Sequence, residues 1–163
     1  MYTDREKKLQ RLALFCAIVI LLAWIGSCGA EEVKCLDMLP IIAKIESNGN
    51  ALAWNRYSNA AGKYQITPTV LKEWNNNNPE QFVYDDLFDP YINERIAYWY
   101  LIKIRDYYLP VYNLPESKDY ILIAYNWGIR NLYKWHRKGA DYKRLPKETR
   151  EYLIRYHKLE QGK

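Results

Sequence analysis

Cysteine is scarce in this chain of 163 residues: there are three, and no two stand at a metal-ligand spacing. Cys16 and Cys28 fall in the amino-terminal stretch and only Cys35 lies in the body, which excludes a disulfide framework; in an exported chain Cys28 and Cys35 can still pair. Histidine is scarcer still. His136 and His157 are 21 positions apart with no zinc-site carboxylate pattern beside them, so neither a metal nor another cofactor is expected. Glycine and proline number 7 each, too few for a collagen-like or low-complexity disordered chain. No run of five or more Lys or Arg occurs, and the formal charge of +5 is spread among acids, which argues against nucleic acid as a partner. Segments of strand period are lacking as well, so the expected fold class is mainly α, in one domain.

Aromatics are abundant, with 16 Tyr and 6 Trp, enough to line a groove for the flat faces of sugar rings or simply to fill a core. The first eleven residues carry Arg5, Lys7, Lys8 and Arg11, and no charge follows from Leu12 to Ala30. Positive charge stays on the cytoplasmic side during insertion, so residues 1–30 read as a signal peptide or membrane anchor, with the rest of the chain outside the cytoplasm. The uncharged run is about the ~20 residues that span a bilayer. Equally, Ile25-Gly26-Ser27-Cys28 resembles a bacterial lipobox, which makes Cys28 a lipidation candidate after cleavage before it, and Gly29 behind it resembles lipoproteins sorted to an outer membrane. Removal of residues 1–27 takes four bases and two acids and leaves a body of charge +3. The cell envelope is the expected location, with the membrane as partner through anchor or lipid.

Within 31–163 the pattern is helical. Leu39, Ile42, Ala43 and Glu46 recur at helical spacing from Pro40 to about Ser47, where Asn48-Gly49-Asn50 breaks the helix. A turn-rich stretch to Tyr64 suits a loop or small hairpin. Thr67-Pro68 reads as the cap and first residue of a helix to Trp74, Asn75 to Pro79 as an exposed loop, and Asp89-Pro90 as the start of a long helix. That helix turns Asn93, Ala97, Tyr100, Leu101 and Ile104 inward and Glu94, Arg95 and Arg105 outward. Pro110 and Pro115 bracket a linker before three further helices at Asp119–Tyr125, Ile129–Trp135 and Glu148–Lys158.

Glu46 closes an apolar helix, where burial raises a carboxyl pKa and keeps a proton available for a glycosidic oxygen. It keeps ordered company: Glu46-Ser47; then Ala61-Gly62-Lys63-Tyr64-Gln65-Ile66-Thr67-Pro68; then Leu87-Phe88-Asp89-Pro90 with Asn93, Tyr100 and Leu101; then Ala124-Tyr125-Asn126-Trp127-Gly128, with Glu148-Thr149-Arg150 and Tyr152 downstream. Over Leu36 to Leu159 these segments resemble the lytic transglycosylase domain of the soluble-transglycosylase type, a relative of goose-type lysozyme. The resemblance implies a lysozyme-like fold, with Glu46 as catalytic acid and base, and Gln65, Tyr125, Asn126 and Tyr152 along a cleft for peptidoglycan glycan strands. Amides such as Gln65 and Asn126 can donate to and accept from an N-acetyl group, and a Tyr hydroxyl can orient a carboxyl. Ser47 either hydrogen-bonds near the sugar or caps the helix. Lys63-Tyr64 stands where Leu-Met is commoner, and Trp127 where Ala is usual. Tyr64 is expected to stack on a sugar and Lys63 to meet an acidic peptide stem.

The activity so implied is cleavage of the bond between N-acetylmuramic acid and N-acetylglucosamine without water, leaving 1,6-anhydromuramyl ends. Two rivals stay open: a hydrolytic muramidase in which Asp85, Asp86 or Asp89 activates water, and a non-catalytic wall-binding module of a secretion or conjugation machine.

Overall fold

A computed structural model describes residues 34–162, and the expected anchor, the lipobox and Cys28 lie outside them. Helix α1 runs from Cys35 to Ser47. It starts more than a turn before Pro40, which therefore sits inside it. The missing Pro40 amide would have bonded the carbonyl of Leu36, a residue that is itself exposed. Met38, Leu39, Ile41, Ile42 and Ala43 are buried, each larger side chain contributing roughly 1.5–3 kcal/mol by leaving water. At the other end Asn48 takes the left-handed conformation, and the amides of Asn48 and Gly49 close on the carbonyls of Lys44 and Ala43.

The turn-rich stretch folds into a two-strand hairpin, β1 (Trp54–Asn55) against β2 (Ala60–Ala61), with Trp54 opposite Ala61. Asn55 Oδ1 accepts the amides of Tyr57 and Ser58 and so shapes the turn. Helix α2 spans Pro68–Asn77, with the Thr67 hydroxyl accepting the Val70 amide. The expected loop from Asn75 is thus helical for three more residues. Asn75 is held from outside the helix, its Nδ2 donating to Phe82 O and its Oδ1 accepting from Phe82 N, while Asn77 Nδ2 donates to Glu73 O. These side-chain bonds offset the poor helix propensity of Asn.

A 3-10 turn (Tyr84–Phe88) leads into α3 (Pro90–Lys103), capped by Asp89 Oδ1 accepting from Tyr91 and Ile92. Its expected inward face is buried throughout: Asn93, Ala97, Leu101 and Ile104 are at 0% exposure and Tyr100 at 9%. Arg95 faces out, but Glu94 turns to Lys63 and Tyr64. A π-turn (Ile104–Tyr108) and a short α-turn (Leu109–Val111) extend the helix into the expected linker. Helices α4 (Lys118–Trp127), α5 (Ile129–Arg137) and α6 (Lys147–Gln161) complete the body. Helix α1 packs on α3 and α6, α4 packs on α5 and α6, and α2 packs on α3, so the core lies between α1 and its neighbours. Among the described residues no helix is long and apolar enough to cross a membrane.

Candidate active site

Glu46 is placed by the last turn of α1 and walled by α6. Glu148, Tyr152 and Arg155, at i, i+4 and i+7 along α6, all act on its carboxyl. Burial is the dominant influence and drives the carboxyl up to about 7; the Tyr152 hydroxyl and then the Arg155 charge pull it down, and the Glu148 charge adds a smaller upward push. Half-buried by surface area yet closely packed, Glu46 holds its proton near neutrality while one edge stays open to solvent. Tyr152 is 2% exposed, and its hydroxyl is the one buried side-chain polar atom among the described residues with no hydrogen-bond partner of normal geometry. It faces Glu46 at close range. Burial, then the Glu46 charge, holds both Tyr152 and Tyr125 well above the usual phenol range, so all three groups share one neighbourhood.

Gln65 is set by an unusual backbone. The turn after β2 runs through Gly62 (φ +79°) and Gln65 (φ +50°), and is closed by paired bonds between Ala61 and Ile66. A methyl group on Gly62 would lie 2.2 Å from both Asn93 Nδ2 and the Leu87 carbonyl, so only glycine fits. Gln65 Nε2 donates to the carbonyls of Gly62 (3.0 Å) and Ala53 (3.3 Å), which leaves its Oε1 to accept from a ligand. Asn126 is spent at the opposite end. Its Oδ1 accepts from Thr149 Oγ1 at 2.9 Å, and its Nδ2 remains a donor. The expectation that either amide serves both ways thus narrows to one acceptor and one donor, the complement of an acetamido C=O and N–H.

Glu46 and Gln65 line a cavity of about 380 Å³ together with Ala53, Trp54, Asn55, Arg56 and Tyr57. Gln65 also lines the next cavity, of about 280 Å³, with Thr67, Tyr100, Tyr125, Asn126 and Trp127. Shared walls extend the series, since Trp54 borders a depression toward Tyr84 and Phe88, and Trp127 borders another on α5. The result is a cleft for an extended chain-like ligand.

Of the residues singled out in the sequence, Glu46, Gln65, Tyr125, Asn126 and Tyr152 come together here. Tyr64 does not: it is 1% exposed and its hydroxyl donates to Glu94 at 2.7 Å, so its ring cannot stack on a sugar. Its carbonyl serves the site indirectly by accepting the Tyr125 hydroxyl at 2.8 Å. Lys63 pairs with Glu94 at 2.9 Å instead of reaching outward. Ser47 Oγ donates to Lys63 O at 2.7 Å, tying the end of α1 to the Gln65 turn. Trp54 and Tyr57, 57% and 83% exposed in the Glu46 cavity, were not singled out; two aromatics inside a turn-rich stretch are the signal that marks them. Thr149 stands in the Glu148-Thr149-Arg150 run, but its pairing with Asn126, 23 positions away, leaves no local signal.

Of the carboxylates considered for activating water, Asp89 caps α3, Asp86 Oδ2 accepts the Val83 amide, and neither these nor Asp85 line the Glu46 cavity. Among the described residues no cluster of His, Cys, Asp and Glu is fit to hold a metal ion.

Neither a curated protein nor a solved structure matches the chain. Residues 31–146 match the family model described as transglycosylase SLT domain, which takes in the site residues above except those on α6, namely Glu148, Thr149, Tyr152 and Arg155. The chain therefore belongs to the transglycosylase SLT domain family, a lysozyme-like group of the lytic transglycosylase type that acts on peptidoglycan.

Proposed function

We propose that this protein is a peptidoglycan lytic transglycosylase that cleaves the β-1,4 bond between N-acetylmuramic acid and N-acetylglucosamine without water. The observation that carries the reading is a single carboxylate, Glu46, poised at about 7 in the wall of an extended cleft. Protonated Glu46 gives its proton to the bridging oxygen as the bond breaks; the resulting carboxylate then takes the proton of the muramic acid 6-hydroxyl as that oxygen closes on the anomeric carbon. The product is a 1,6-anhydro end, and Glu46 regains its proton. The acceptor on Gln65 and the donor on Asn126 would hold the acetamido group that steadies the developing positive charge.

A water-using glycosidase ordinarily needs a second carboxylate at ~5–9.5 Å. The cavity lining offers none, and Glu148 acts on Glu46 from outside it, which favours the lytic route over a muramidase. The proposed location is the cell envelope, with residues 1–30 serving as signal or anchor, or with Cys28 carrying lipid.

Digestion of purified peptidoglycan by the full chain, followed by mass analysis, tests the reaction. Anhydro ends one water lighter than reducing ends are expected; reducing ends would establish the muramidase instead. Glu46→Gln keeps the shape without the proton, and should slow cleavage by about 10²–10⁴ while glycan binding persists. Retained turnover in that variant removes the mechanism, and a wild-type chain that binds without clearing peptidoglycan returns the protein to the wall-binding alternative.

A further inference from the structure

At the α5 end of the cleft lies a cavity of about 330 Å³ lined by Trp127, Asn131, Lys134, Trp135, Lys138 and Arg144. Its walls are held. Asn131 Nδ2 donates to Trp127 O and Trp135 Nε1 to Asp141 O, both at 2.8 Å, and Gly128 turns α4 into α5 with φ +88° and ψ 145°, a conformation open to glycine alone. Its charge is one-sided. From Tyr120 to Ala140 the chain carries Arg130, Lys134, Arg137 and Lys138 and no carboxylate. Lys134 and Lys138 form no ion pair among the described residues, and Arg144 reaches Asp141 only at 3.6 Å.

Among the described residues Lys63, Lys103 and Lys118 pair with Glu94, Glu73 and Glu160, whereas the lining of this cavity holds three cationic side chains and no carboxylate. Two ammonium groups without an ion pair, in a cavity that also has Trp127 and Trp135 in its lining and shares Trp127 with the glycan cleft, fit a carboxylate-bearing ligand attached to the glycan. We infer that this cavity is a subsite for the carboxylates of the peptide stem on a muramic acid bound beyond Gln65 and Asn126. The inference rests on the transglycosylase reading, and it gives this chain a preference for stem-bearing over stripped glycan. Stripping leaves the lactyl carboxylate on the sugar, so the preference reports charge on the stem itself.

The full chain is assayed on intact peptidoglycan and on the same glycan stripped of stems by an amidase. Wild type should favour the intact polymer in kcat/KM. The preference should fall about fivefold in Lys134→Gln/Lys138→Gln, as two partly screened charge pairs allow, and should invert in Lys134→Glu/Lys138→Glu. High salt should weaken it in wild type. A preference equal in wild type and both variants overturns the inference. Titration of the free stem peptide against tryptophan emission decides the subsite without catalysis, because Trp127 and Trp135 face the cavity. A salt-sensitive change in wild type that is lost in the charge-reversed variant supports the subsite even if no anhydro ends form, in which case the enzymatic reading alone fails; no change in wild type overturns the subsite even if cleavage proceeds.

Discussion

Two polar centres of this domain are finished in opposite ways. Around Asn93 the accounts are closed: Oδ1 accepts the Tyr64 amide at 2.8 Å, and Nδ2 donates to the carbonyls of Ala61 (3.0 Å) and Leu87 (2.9 Å). Beside it, Glu94 takes both the Lys63 ammonium and the Tyr64 hydroxyl, which hold its carboxyl below the usual range. Around Glu46 the accounts are open, with a carboxyl pushed up by burial, a buried Tyr152 hydroxyl lacking a good partner, and one free end each on Gln65 and Asn126. Saturated hydrogen bonding fixes geometry and costs nothing as pH changes near neutrality. Incomplete hydrogen bonding leaves groups for a ligand to complete, at some cost in stability.

Breaking the closed centre should have the largest effect. Gly62→Ala drives a methyl group into Asn93 and the Leu87 carbonyl at a positive φ, and an expected loss of roughly 4 kcal/mol or more should show in denaturant unfolding. Asn93→Ala strands the Tyr64 amide and the Leu87 carbonyl and leaves Ala61 O with the Ile66 amide alone, for about 3 kcal/mol by the same measurement. An unchanged midpoint in either variant would erase the contrast.

The open centre should answer to pH. Its carboxyl is raised from 4.5 to about 7 on folding, so the stability Glu46 contributes is complete below pH 4.5 and is lost as pH rises through 7. Glu46→Gln should therefore melt close to wild type near pH 4.5 and higher above pH 7, by on the order of 5 °C. The smallest effect belongs to Tyr152→Phe. The hydroxyl lowers the Glu46 pKa, so its loss should move the alkaline limb of kcat/KM, near pH 7 in wild type, upward with little change in stability. A downward shift would mean that Tyr152 acts otherwise.

How much of this was legible in the sequence depended on range. Thr67-Pro68 and Asp89-Pro90 announced their helices because caps are satisfied within one turn. The inward face of α3 followed from spacing alone. Asn75 to Asn77 misled because their helix is held from Phe82, outside any local pattern. The family-like segments supplied candidate residues but not the side of the fold each one faces: Gln65 faces the cleft while its neighbour Tyr64 faces the core, an alternation created by a left-handed residue within the turn. Glu94 was read as outward because helical phase cannot register a lysine 31 positions away. The pairing of Thr149 with Asn126 escaped for the same reason.

The matched family segment ends at Pro146, one residue before α6 begins, yet α6 supplies the tyrosine, the arginine and the glutamate that act on Glu46. The proposed proton donor and the side chains that adjust its hold on the proton are therefore encoded in separate stretches of chain. Relatives that share the segments ahead of α6 but differ in that helix would work best at a different ambient acidity, so exchanging it offers a way to retune the optimum while Glu46 and the segments before α6 stay as they are.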